Sequence, residues 1–212
     1  MFNANFHYES LIRPNAAWRS PRLMLHRVPA RLRGAMKVKG SLTKYIEAQS
    51  GDTMHVRVLS EAWEKPLEYE RHALGLRISD RVWVRQVMLS ASGVQWVYAR
   101  SVVPQYALQG HWKQLMQLRQ KPLGSVLFKR LKSDRGVIRI GHVPLPSTAL
   151  ISEHLQSLES GRVWARYSVF TQRDSAASAS NRRPKRMLVS EYFLSSFNAH
   201  ADVHEVEASN AH

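Results

Sequence analysis

Two runs of alternating side chains, Arg81–Ser90 (RVWVRQVMLS) and Val94–Val103 (VQWVYARSVV), flank Ala91, Ser92 and Gly93, and they constrain the fold more than any other feature of the chain. A period of two, rich in Val and aromatic residues, marks strands, and a short Gly-containing break between two such runs predicts an antiparallel hairpin. Pro104, which has no N–H to give to a ladder, closes the second run.

Four further segments read as strands: one from Met54 to about Trp63, then 136–143, 162–172 and 185–197. Between them the period changes. A short helix is expected from Pro29 to Lys37, and a second starts at Ser41, where Leu42, Tyr45 and Ile46 fall at i, i+3 and i+4 and Gly51 supplies the stop. The stretch from Tyr106 to Gln120 also reads as helical. Pro122 then opens a helix in which Leu123, Leu127, Phe128 and Leu131 can share a face. Six strands, mostly joined by hairpins and interrupted by helices, predict an α+β domain on an antiparallel sheet. Residues 1–28 read as a basic arm lying on the domain, 29–197 as the domain and 198–212 as a polar tail. The Ser/Ala/Asn/Arg-rich stretch 173–184 reads as a hairpin loop.

Strand parity singles out two charges. In 81–90 the odd set is Arg81, Trp83, Arg85, Val87 and Leu89, and in the last strand Glu191 shares its face with Val189 and Phe193. An unpaired charge on an apolar face costs several kcal/mol, so such residues pair, or belong to the other face, or meet a ligand. An Arg85–Glu191 ion pair is one outcome. A site that takes an anion bearing a hydroxyl or ether is another. Arg100, on the parity of Trp96, Tyr98 and Val102, is either a second anion contact or a cross-strand partner. The helix starts around Leu42 and Leu123 offer free first-turn N–H groups to a carboxylate.

The 212 residues carry 31 basic and 16 acidic side chains, a net charge of +15, and no Cys. That excludes a disulfide scaffold, Cys-ligated zinc and a thiol nucleophile. Nine basic residues and no acid lie between Ser10 and Ile46, a balance suited to steering an anion or to solubility alone. His200 and His204 are four apart but sit in the polar tail with no third ligand in view, so no metal site is expected. No apolar stretch reaches the ~18 residues of a membrane span, and the N-terminus lacks the apolar core of a secretory signal, so a cytoplasmic protein is expected.

The blocks GSLTKYIEAQSGD, WVRQVMLSASGVQWVYARSVVP, KPLGSVLF, VWARYSVF and MLVSEYFL follow in an order and spacing that resembles the chorismate pyruvate-lyases, over roughly residues 29–196. The resemblance implies a six-stranded antiparallel sheet with helical flaps over an internal ligand cavity. It also implies conversion of chorismate to 4-hydroxybenzoate and pyruvate, toward ubiquinone, with no metal or organic cofactor. A monomer is expected. Carried onto this chain, the family's ligand arginine falls on Arg85 in WVRQV and its carboxylate on Glu191 in VSEYF. Its main-chain contacts fall on Leu42 in GSLTK and Leu123 in KPLGS. The alternative is a sensing domain that binds a small aromatic acid without turning it over, as in some transcription regulators. Such a regulator needs a DNA-binding domain upstream, and 28 arm residues are too few for one. A nucleic-acid surface is not expected, because most Trp residues sit within strand patterns.

Overall fold

The alternating runs become the centre of one antiparallel sheet. In the computed structural model, which describes residues 17–131, 133–145, 162–172, 183–195 and 197, β1 (His55–Glu64) pairs with β2 (Val82–Ala91) and β2 with β3 (Val94–Pro104). The order continues β3, β7 (Arg186–Phe193), β6 (Arg162–Gln172) and β4 (Ser133–Arg135), with β5 (Arg139–Pro144) also paired to β6. The six expected strands are present, and the three-residue β4 makes a seventh. The expectations for residues 1–16 of the basic arm, His200, His204, residues 198–212 and the 173–182 part of the loop lie outside the described residues.

The β2–β3 turn is tighter than the Ala-Ser-Gly break suggests. Ala91 pairs with Val94, leaving Ser92 and Gly93 alone in the turn at φ 51° and 74°. Two positive φ values make a primed-type turn, whose twist suits a hairpin, and Gly93 takes that conformation without a Cβ penalty. Asp52 holds Ser92 there: its Oδ2 accepts from the Ser92 N–H at 2.9 Å and from Ser92 Oγ at 3.3 Å.

Helices cover both faces. On one lie α1 (Pro21–Met24), α2 (Ala30–Lys37) and α3 (Leu42–Ser50), whose buried Leu32, Met36, Leu42 and Ile46 pack with Val87, Leu89 and Val97. Beside them α5 (Leu123–Lys129) and two 3₁₀ turns, Gln105–Ala107 and Gly110–Gln117, pack with Phe170, Met187 and Val189. On the other face α4 (Glu68–Leu74) and Trp18 cover Val84, Met88, Tyr98, Leu188 and Tyr192. In place of the single α-helix expected over Tyr106–Gln120 there are two 3₁₀ segments, and Gly110, at φ 55°, marks the break between them.

Candidate active site

Successive strand residues face opposite sides, so register sorts the sheet's charges into two sets. Arg85 is opposite Ser101, and Ala99 is opposite Glu191. Both charges therefore share the face beneath α3 and α5, with Val87, Leu89 and Val189. Sheet geometry separates β2 from β7 by about 10 Å across β3, and the two-residue offset adds about 7 Å along the strands. Side chains reaching inward from those two ends can hold one small ring acid between them.

A cavity of about 60 Å³ lies at this point, between the two apolar clusters of that face. Arg85, Glu191, Leu42 and Leu123 all line it, along with Arg135, Ser101, Phe128 and Phe170. Leu42 and Leu123 are the first residues of α3 and α5, whose first-turn N–H groups have no intrahelical acceptor. The two helix starts meet at Gly124: a Cβ placed there would lie 3.3 Å from Ser41 Oγ. At ~10–15 Å³ for one water-sized sphere the cavity as it stands has room for a few waters.

Arg85 and Glu191 do not pair with each other, and each has its own partner. Arg85, 3% exposed, donates from Nε to Glu61 Oε1 at 3.0 Å and from Nη2 to the Arg119 carbonyl at 2.5 Å. Burial lowers its pKa, and the Glu61 carboxylate works against that shift. Glu191 accepts from Arg166 Nε at 2.5 Å, and Arg166 Nη1 donates to the carbonyls of Ala35 and Val38 at 2.5 and 2.8 Å. Those carbonyls belong to the last turn of α2, so one buried guanidinium ties the carboxylate to a helix end.

Arg135 stands differently. Its guanidinium lies 4.5 Å from the Phe170 ring centroid and 5.9 Å from that of Phe128. It donates to Ser168 Oγ at 3.3 Å and to the Gly40 carbonyl at 3.4 Å. Its buried Nε has no hydrogen-bond partner. Burial lowers its pKa to about 10, which leaves it cationic at neutral pH.

A family model described as chorismate lyase matches residues 12–201, nearly the whole sequence. The chain belongs to the chorismate lyase family. Relatives bearing the name "Probable chorismate pyruvate-lyase" include one from Aromatoleum aromaticum, 35% identical over 86% of this chain and 95% of its own length, and one from Halorhodospira halophila, 34% identical over 84% and 90%. The match to the Marinobacter nauticus relative is 37% identical but spans only 56% of that protein. Among solved structures, the effector domain of PhnF from Mycobacterium smegmatis is similar at TM-score 0.49 and 14% identity, over 74% of this chain and 90% of that one.

Arg100 does not share the sheet face beneath α3 and α5. It lies on the opposite face, fully buried, with Nε 2.8 Å from Glu70 Oε1 and Nη1 2.9 Å from Glu64 Oε2. The two carboxylates raise its pKa although burial opposes them. An open groove of about 1230 Å³ beside Trp63, Tyr106 and Arg183 contains none of Arg85, Glu191, Leu42 and Leu123. Sequence reading missed Glu61, Arg135 and Arg166. Glu61 and Arg166 carry the signal that exposes Arg85, a charge on the parity of Leu59 and Trp63 or of Trp164 and Phe170. Arg135 carries no such signal, since it ends a three-residue strand.

Proposed function

We propose that this protein cleaves chorismate to 4-hydroxybenzoate and pyruvate. In this reading chorismate is a dianion whose C3–O bond breaks while the hydrogen at C4 leaves, and the released enolpyruvate takes up a proton to become pyruvate. Aromatisation supplies driving force, so the protein's task is to hold the reactive conformer and manage charge. Arg85, with the N–H groups of Leu42 and Leu123, clamps the ring carboxylate, and Glu191 accepts a hydrogen bond from the C4 hydroxyl at the far end. The observation that carries the proposal is that these four residues, far apart in sequence, line one cavity. Family membership supports the same chemistry.

Arg85 leaves the Arg119 carbonyl, and in part Glu61, as the substrate carboxylate arrives. The exchange frees the 118–122 segment beside α5, so anion entry and flap opening are one event. No residue of the scheme calls for a metal or organic cofactor. We place the reaction at the committed step of ubiquinone formation, in the cytoplasm, by a monomer. Among the described residues no helix is long and apolar enough to cross a membrane.

Purified protein given chorismate should produce 4-hydroxybenzoate absorbance together with equimolar pyruvate. Binding of 4-hydroxybenzoate without any turnover would instead identify a sensing domain. Glu191→Gln separates roles: lost kcat with 4-hydroxybenzoate still bound means that Glu191 moves a proton, and near-normal kcat leaves it positioning.

A further inference from the structure

We propose that Arg135 receives the second carboxylate of the substrate, the one that departs with pyruvate. The inference rests on the chorismate reading and adds a residue to it. It begins with charge. Two ion pairs flank the cavity, Arg85 with Glu61 and Glu191 with Arg166, and each cancels itself. Arg135 lines the cavity and makes no ion pair within 4 Å among the described residues; the Glu191 charge reaches it only at longer range and is itself held by Arg166. Its neutral contacts, at 3.3 and 3.4 Å, are long for a guanidinium, and its buried Nε–H is unmatched. The Phe170 and Phe128 rings lie against the guanidinium as cation–π neighbours and take no hydrogen bond from it, so its Nε–H stays unmatched.

Position agrees with charge. Arg135 is opposite Phe170 on β6, and its Nη1 reaches Ser168, which is opposite Val189, two residues from Glu191 on β7. Arg135 thus approaches from the Glu191 side of the cavity, across from Arg85. The ether at C3 neighbours the C4 hydroxyl that Glu191 is proposed to hold, so the carboxylate on that ether extends toward the same side. Arg85 then grips what stays in the product, and Arg135 grips what leaves. After cleavage the product has no group for Arg135, which therefore contributes to substrate affinity without adding to product affinity.

The test compares two ligands on the wild type, Arg135→Met and Arg135→Lys. Arg135→Met should raise KM for chorismate about 10- to 100-fold, the range for losing a charge-assisted pair. The Kd of 4-hydroxybenzoate should change less than about threefold. Arg135→Lys, which keeps the charge and loses the fork, should fall between. Equal losses for both ligands would overturn the inference, since a residue that only shapes the cavity weakens both alike. Should Arg135→Met fail to fold, wild-type protein still decides the matter. A 4-hydroxybenzoate carrying a carboxymethyl ether at C3 should bind at least about tenfold tighter than its methyl ester, and equal affinities would overturn it. A wild type that makes no 4-hydroxybenzoate from chorismate defeats the chorismate reading itself. Normal turnover with an unchanged KM in Arg135→Met defeats only the role given to Arg135.

Discussion

Arg166→Met is the perturbation most directly tied to the geometry. Arg166 is fully buried and bonds three acceptors: Glu191 Oε2 at 2.5 Å and the carbonyls of Ala35 and Val38. Met fills similar space but donates nothing, so a buried carboxylate and two helix-end carbonyls lose their donors together. Breaking a buried pair by removing one partner costs about 3–5 kcal/mol. For a chain of this size that lowers Tm by about 6–20 °C at ~2–4 °C per kcal/mol. Glu191→Gln keeps an oxygen for Nε and loses only the charge, at about 1.5–3 kcal/mol. In the double variant neither residue has a partner left to abandon, so its destabilisation should fall short of the summed single losses by about 0.5–3 kcal/mol. Urea unfolding followed by Trp fluorescence on all four proteins gives the cycle. Additivity within about 0.5 kcal/mol, or a loss below about 1 kcal/mol for Arg166→Met, would refute the claim that Arg166 anchors Glu191.

Three other outcomes follow from the same contacts. Glu61→Gln removes the carboxylate that competes for Arg85, a partly exposed pair of about 0.2–1 kcal/mol, so the Kd of 4-hydroxybenzoate should fall by up to about fivefold; weaker binding in titration calorimetry would mean that Glu61 orients Arg85 for the ligand. Ser168→Asp gives Arg135 an internal counter-ion, and it should weaken chorismate binding at least about tenfold; intact binding in equilibrium dialysis would count against Arg135 as the anion contact. Burial raises the pKa of Tyr69, Tyr98 and Tyr192 above 10, so they stay protonated when folded while unfolded tyrosines ionise. Stability from them is complete below pH ~10 and declines as pH rises beyond it. The urea midpoint should drop between pH 9 and 11 less steeply in Tyr192→Phe than in the wild type, and identical slopes would contradict this.

Elements whose residues carry a long, regular pattern were legible in the sequence. The ten-residue β2 and the eleven-residue β3 and β6 alternate throughout. α3 has both its Ser41 cap and its Gly51 stop, and its Ser41 Oγ accepts from the Lys44 N–H. Short elements were not. α4 has seven residues, and its acidic start, where Glu70 accepts from the Leu67 N–H, was overlooked because Tyr69, Ala73 and Leu74 make too brief a stripe. The last strand is shorter than its apolar run suggests: it ends at Phe193, and the chain then turns, with the Phe197 N–H donating to the Leu194 carbonyl. In the candidate site, Arg85 and Glu191 stood out because a charge on an apolar parity violates a local rule. Their partners did not, because Glu61 and Arg166 lie 24 and 25 residues away and only the register of adjacent strands brings them opposite.

The arginines of this sheet form a series in which compensation falls faster than burial. Arg100, on the far face, has two carboxylates and no exposure. Arg166, equally buried, has one carboxylate and two carbonyls. Arg85, at 3%, has one carboxylate that is itself 25% exposed, and Arg135 has none among the described residues. Desolvating a guanidinium costs several kcal/mol wherever it occurs, so the deficit along the series is paid by the rest of the fold and grows toward the cavity. A structural role for Arg85 and Arg135 would have favoured the closed pairing that Arg100 has. Arg85 meets its deficit with main-chain carbonyls that an anion can displace, and Arg135 leaves a buried Nε–H unmatched, so an anion entering the cavity would restore to these two what Arg100 already has.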